Sequence, residues 1–109
     1  MDSTAWYGCM SETKWRELRT AMLGLASLSP RWRTKDVENG HVSGWDGDWF
    51  YHFDIGGYGC IEWVEIAVTE ANREKLEKAL KVVHLPGCAT EIGFRIFGYV
   101  PVGQFVEYV

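Results

Sequence analysis

Trp15, Leu18, Met22 and Leu25 recur at helical spacing behind Ser11 and Thr13, either of which can cap. This predicts a helix from about Glu12 to Ala26, stopped at Ser29-Pro30 because the residue before a proline is pushed out of the helical region. The period then changes to two. Arg31, Arg33 and Lys35 alternate with Trp32, Thr34 and Asp36, predicting a strand over 31–37 with one charged face. Asn39-Gly40 is a strong hairpin signal, since a type I′ turn needs positive φ at both central residues, and His41 to Trp45 reads as the return strand. Asp46-Gly47 repeats the signal and leads into a third strand, Asp48 to Ile55, completing a meander.

Gly56, Gly57 and Gly59 break the chain, and the apolar, β-branched run Cys60 to Val68 predicts a fourth, central strand. Thr69 can cap a second helix, with Glu70 near the positive end of its dipole. Leu76, Leu80 and Val83 form the apolar stripe of that helix, while Glu74 with Lys78 and Glu77 with Lys81 lie on its wet side. It ends near His84, before Leu85-Pro86-Gly87. Thr90 to Val100 returns as a strand, and Gln104 to Val109 reads as a short edge strand. Residues 1–10 have no clear period and read as a poorly ordered lead before a single domain over 11–109. The order α-β-β-β-β-α-β-β predicts an α+β fold, a single antiparallel sheet of about five strands with both helices packed on one face. Its other face is left open or covered by a partner.

The chain has 109 residues, enough for one domain that buries roughly two-thirds of its unfolded surface. Six tryptophans supply much of that burial. Three widely spaced cysteines, Cys9, Cys60 and Cys88, suit neither a disulfide framework nor a zinc knuckle. With no signal segment and no apolar run approaching the roughly 18 residues of a membrane span, the expectation is a soluble, cytoplasmic protein. The net charge is -4, and between Asp36 and Asn72 there are eight acids and no Lys or Arg. A nucleic-acid binder carries a continuous basic face, so this distribution argues against one. It fits an acidic face toward a partner, or acids and bases that pair across the fold.

If residues 48–55 form a strand, Asp48, Phe50, His52 and Asp54 share one face, and Trp49, Tyr51 and Phe53 the other. The purely aromatic face belongs under the helices. The mixed face is a candidate site: His52 with Asp54 can orient a proton transfer or ligate a metal, with Asp48 and Glu62 or Glu65 completing the set. An exposed histidine beside an acid is also an ordinary surface pair, and two ligands do not make a metal site. Asp46, before Gly47, is what a tight turn requires. The aspartates lack the remaining ligands of a calcium loop, Ser43 has no nucleophile-elbow context, and Cys88 has no Cys-His signature. Gly93, Gly98 and Gly103 match no phosphate loop and mark bulges or close packing against tryptophan. No cofactor motif is present. Arg31, Arg33, Lys35 and Arg95, with Trp45, Asp46, Asp48 and His52, are the candidate binding residues of an open face.

The segments Trp15-Arg16-Glu17-Leu18, "PRWRTKDVENGHVSGWDGDWFYHF", "IEWVEI", "HLPG" and "IFGYVPVG" resemble a small bacterial family of unknown function. The resemblance covers Ser11 to Val109 and is most specific in the tryptophan-rich stretch. Proteins similar to these travel on mobile gene cassettes such as integrons, which implies an accessory cytoplasmic role and supplies no reaction. The expected function is a non-enzymatic protein-binding domain, itself expected to be a homo-oligomer, immunity- or antitoxin-like, whose acidic aromatic sheet face engages a basic protein. The alternatives are a small enzyme or ligand-binding protein around His52, Asp54, Asp48 and Glu62, and a structural homo-oligomer subunit.

Overall fold

Helix α1, Glu12–Leu23, starts where the Ser11 hydroxyl accepts the Lys14 N–H at 3.1 Å, and it buries Trp15, Leu18 and Met22. Past Gly24 the chain tightens into a 3₁₀ turn, Ala26–Leu28, whose exit is held by the Ser29 hydroxyl donating to the Met22 carbonyl. Helix α2, Arg73–Val83, is preceded by a reciprocal pair: Thr69 N–H donates to the Asn72 side-chain oxygen at 2.8 Å, and Asn72 N–H to the Thr69 hydroxyl at 3.2 Å. It buries Leu76, Leu80 and Val83 and ends at His84, which adopts a left-handed φ of 59°. Both helices pack against the same sheet face, where Trp32, Val64, Ile66 and Ile96 meet them in one core.

The strands are β1 (Trp6–Gly8), β2 (Trp32–Asp36), β3 (Ile61–Ala67), β4 (Gly87–Ala89), β5 (Gly93–Phe97) and β6 (Tyr99–Pro101), in a computed structural model that describes residues 5–109. They form two antiparallel sheets: a four-stranded one in the order β2-β3-β5-β4, and the pair β1-β6. The α+β class holds, but the expected single sheet is two. Gly98 interrupts the strand foreseen over 90–100, and the chain beyond it turns to pair with β1. Residues 6–8, expected within the unstructured lead, supply that partner strand; the first four residues lie outside the description. The tail foreseen as an edge strand makes a single bridge, Tyr108 with Pro86, against the β4 end of the sheet.

The meander is the main correction. The hairpin after β2 exists, closed by Asp36 N–H to the His41 carbonyl at 2.9 Å, with only Gly40 at positive φ, so its turn is wider than the type I′ form. Residues 42–46 then run along the β2 edge as isolated bridges, Lys35 to Val42 and Trp32 to Asp46. Residues 48–55 form no strand. They coil into turns in which Asp54 and Ile55 N–H groups donate to the Tyr51 carbonyl. Burial follows a spacing of four: Trp49 and Phe53 are buried, whereas Phe50 and Tyr51 are exposed. Here local capping satisfies the backbone groups that a strand ladder would have paired.

Gly98 shows how closely the two sheets are joined. A Cβ there would stand 2.0 Å from the Ile61 carbonyl oxygen and 2.9 Å from the Trp15 ring, so only glycine lets β3 and α1 approach. Gly47 has nothing within 4 Å of such a Cβ. Gly98→Ala is expected to lower unfolding stability by about 1 to 3 kcal/mol, and Gly47→Ala by less than about 0.5 kcal/mol, in urea titrations.

Candidate functional site

The turn between Trp45 and Tyr58 stands on aromatic anchors. Trp49 and Phe53 are almost fully buried, with ring centroids 4.6 Å apart, and Phe53 meets Trp32 edge-on at 5.1 Å. Tyr58 stacks on Trp15 of α1 at 6.0 Å. The buried indole of Trp49 donates to the Pro30 carbonyl at 2.8 Å and that of Trp32 to the Asp48 carbonyl at 3.2 Å, so neither ring N–H is left unpaired in the core. Arg19 of α1 donates to the Trp49 carbonyl at 2.9 Å and to the Phe50 carbonyl, and lies over the Phe50 ring.

The two aspartates within "WDGD" shape the backbone. One oxygen of Asp46 accepts the Asp48 N–H at 2.8 Å, and one oxygen of Asp48 accepts the Phe50 and Tyr51 N–H groups at 2.9 and 3.0 Å. These backbone hydrogen bonds, from Tyr51 above all, outweigh desolvation and hold the Asp48 carboxyl below its ordinary value, and His52 adds to the effect. The second oxygens of both residues face His52 Nδ1, at 2.8 Å for Asp46 and 3.7 Å for Asp48. His52 is thus oriented by two carboxylates on an exposed surface.

The other members of the expected set lie elsewhere. Asp54 accepts the Tyr58 hydroxyl, and Glu62 pairs with Lys35 at 3.6 Å across an irregularity in the β2-β3 register. The four residues His52, Asp54, Asp48 and Glu62 therefore do not converge. Their assignment to one face assumed a strand; the turn keeps Asp48 beside His52 but leaves Asp54 on Tyr58 and Glu62 on Lys35. Among the described residues, no three His, Cys, Asp or Glu side chains are placed to hold a metal ion.

What the turn presents instead is a cluster of exposed apolar side chains. Phe50 is 68% exposed, Tyr51 60% and Ile55 59%, beside Asp46, Asp48 and Asp54. Of the eight acids between Asp36 and Asn72, Glu62 and Glu65 pair with Lys or Arg; among the described residues no Lys or Arg nitrogen lies within 4.0 Å of the other six. The expected acidic sheet face is corrected accordingly. The uncompensated acids sit mainly on loops, and the open sheet face carries Arg33, Lys35 and Arg95 with Glu62 and Glu65. Arg31 is exposed just before β2, and Trp45 lies over the Arg33 guanidinium at 4.6 Å. Arg19 and Tyr58 escaped the sequence reading, although Arg19 sits four residues after Trp15, on the flank of the buried stripe.

Two titrations check this geometry. Burial, then the hydrogen bond to Asp54 and its charge, push the Tyr58 hydroxyl up to about 12. Unfolded tyrosine releases its proton near pH 10, so stability from Tyr58 is complete below about pH 10 and is lost as pH rises toward 12. Ultraviolet titration is expected to show one tyrosine that ionises only near that pH, and Asp54→Asn to lower its midpoint. Burial would raise the Glu65 carboxyl, but hydrogen bonds from Arg95 and Arg33 overcome it and hold the carboxyl below its ordinary value. Stability from Glu65 is therefore present above about pH 4.3 and is lost as pH falls through the lower folded value. Urea midpoints are expected to fall more steeply with acid in the wild type than in Glu65→Gln.

No helix among the described residues is long and apolar enough to cross a membrane. No curated protein and no solved structure matches the chain. Residues 1–103 match the model of a family of unknown function, DUF6678. That span includes α1, the tryptophan-rich turn, the four-stranded sheet and the β1-β6 pair, and the chain belongs to this family.

Proposed function

We propose that the protein is a non-enzymatic protein-binding domain, of the immunity or antitoxin kind, whose acidic aromatic turn 45–58 masks a basic surface of a protein partner. The observation that carries this reading is the exposure of Phe50, Tyr51 and Ile55 together, beside Asp46, Asp48 and Asp54. Contiguous exposed apolar side chains rimmed by polar ones mark interaction surfaces, and aromatic residues dominate binding energy within them. Carboxylates with no lysine or arginine beside them speed encounter with a basic partner and suppress acidic ones. Rigidity supports the reading as well. Trp49 and Phe53 anchor the turn and Arg19 ties its carbonyls to α1, so little ordering entropy is lost on docking. A cytoplasmic setting and carriage on a mobile bacterial gene cassette would suit an accessory protein of this kind.

The test uses the products of the reading frames flanking the gene. Calorimetry is expected to find a basic protein among them that binds with a salt-dependent association rate. Phe50→Ala should weaken binding by about 2 kcal/mol or more, and Asp46→Asn with Asp48→Asn should slow association. Neighbours that bind with Phe50→Ala unaffected would overturn the reading. Light scattering that shows a homo-oligomer dissociated by Phe50→Ala would replace it with the structural-subunit alternative.

A further inference from the structure

The open face of the four-stranded sheet carries charge opposite to that of the turn. Arg33 on β2, Glu65 on β3 and Arg95 on β5 stand in one cross-strand row. Glu65 is nearly buried, its side chain 4% exposed, and each of its oxygens accepts from one arginine: Arg33 Nε at 2.7 Å and Arg95 Nη2 at 2.8 Å. Each guanidinium also lies over an indole, Arg33 over Trp45 at 4.6 Å and Arg95 over Trp63 at 4.5 Å. The carboxylate and the two rings therefore hold both arginines in place. They use few of the arginines' donors. Neither terminal nitrogen of Arg33 bonds to a described residue, nor does Nη1 of Arg95, and Nε of Arg95 is buried without an acceptor. Each guanidinium keeps about a third of its side chain in solvent.

We infer that this face is a second docking surface, which receives an acidic segment of a protein by accepting one of its carboxylates between Arg33 and Arg95. Guanidinium groups match carboxylates in a planar fork, and Glu65 holds the two arginines on either side of one carboxylate while leaving both terminal nitrogens of Arg33 and Nη1 of Arg95 free of protein acceptors among the described residues. The charge on the face agrees. Arg31, Arg33, Lys35 and Arg95 stand against two carboxylates, Glu62 and Glu65. A peptide suits the surface better than a free ion does. Both guanidiniums are partly open to water, where a small oxyanion stays hydrated and screened, whereas a peptide brings apolar groups that cover half-exposed Phe97 and exposed Trp45 and exclude water around the pair. A nucleic acid suits it less, because the cationic row ends at Trp45, followed directly by Asp46 and Asp48. This inference does not depend on the role of the turn.

The probe is N-acetyl hexaglutamate amide, titrated at low ionic strength with tryptophan fluorescence and arginine Nε–Hε resonances as readouts. Saturable binding is expected, with shifts at Arg33, Arg95 and the Trp45 indole, weakening as salt is added. Arg33→Gln should reduce affinity about tenfold or more, as loss of charge-assisted hydrogen bonds implies. Because Arg33→Gln leaves Glu65 with one partner and endangers the fold, Arg33→Lys provides the second variant. It keeps the charge and loses the fork, and should still bind several-fold more weakly. Arg16→Gln, on the exposed side of α1, should bind as the wild type does. The inference is overturned if hexaglutamate gives no saturable change, if Arg33→Lys and Arg16→Gln respond alike, or if acetate or phosphate at equal charge concentration produces the same shifts.

Discussion

Trp49 and Phe53, driven against Trp32 under helix α1, form the contact on which the rest of the molecule depends. Burying one indole removes about 150 to 250 Å² from water, worth roughly 4 to 6 kcal/mol before conformational entropy is counted. That contribution ties an irregular stretch to the sheet and to the first helix together. Without it, the chain between β2 and β3 has no ladder of its own, only isolated bridges along the β2 edge. The aromatic anchors hold the turn, and the carboxylates of Asp46 and Asp48 give it its backbone shape.

One consequence is a division of labour along the chain. The residues that face inward from the turn are two apart from those that face outward, or next to them, so Phe50 and Tyr51 are exposed because Trp49 and Phe53 are buried. Among the described residues no lysine or arginine nitrogen lies within 4.0 Å of the neighbouring carboxylates: Arg33 and Lys35 pair with Glu65 and Glu62 on β3, and Arg19 donates to the turn's carbonyls instead. The same pairing leaves the sheet face with more cations than anions. A mildly acidic chain thus carries two surfaces of opposite sign, one apolar and acidic, the other rich in arginine.

Much of this architecture was legible in the sequence because it rests on periodicity. The stripes Trp15-Leu18-Met22 and Leu76-Leu80-Val83, the charged face of β2 and the central position of β3 all follow from spacing alone. Gly98, read as marking either a bulge or close packing against tryptophan, is found against Trp15. The turn at 48–55 was misread for an identifiable reason. An all-aromatic face of Trp49, Tyr51 and Phe53 satisfies a period of two, yet "DWFYHF" also places Trp49 and Phe53 four apart, and a short segment does not distinguish the two patterns. Asp48 decides between them by taking the Phe50 and Tyr51 N–H groups for itself.

The sequence by itself determined the α+β class, both helices, the buried tryptophans and an acidic middle third, because propensity, period and composition are local properties. Only the tertiary structure decided which of those acids remain uncompensated, that Glu65 sits between Arg33 and Arg95, and that Arg19 holds the turn from α1. Those pairings join residues 30 to 32 positions apart, across strands and layers whose register no local pattern encodes.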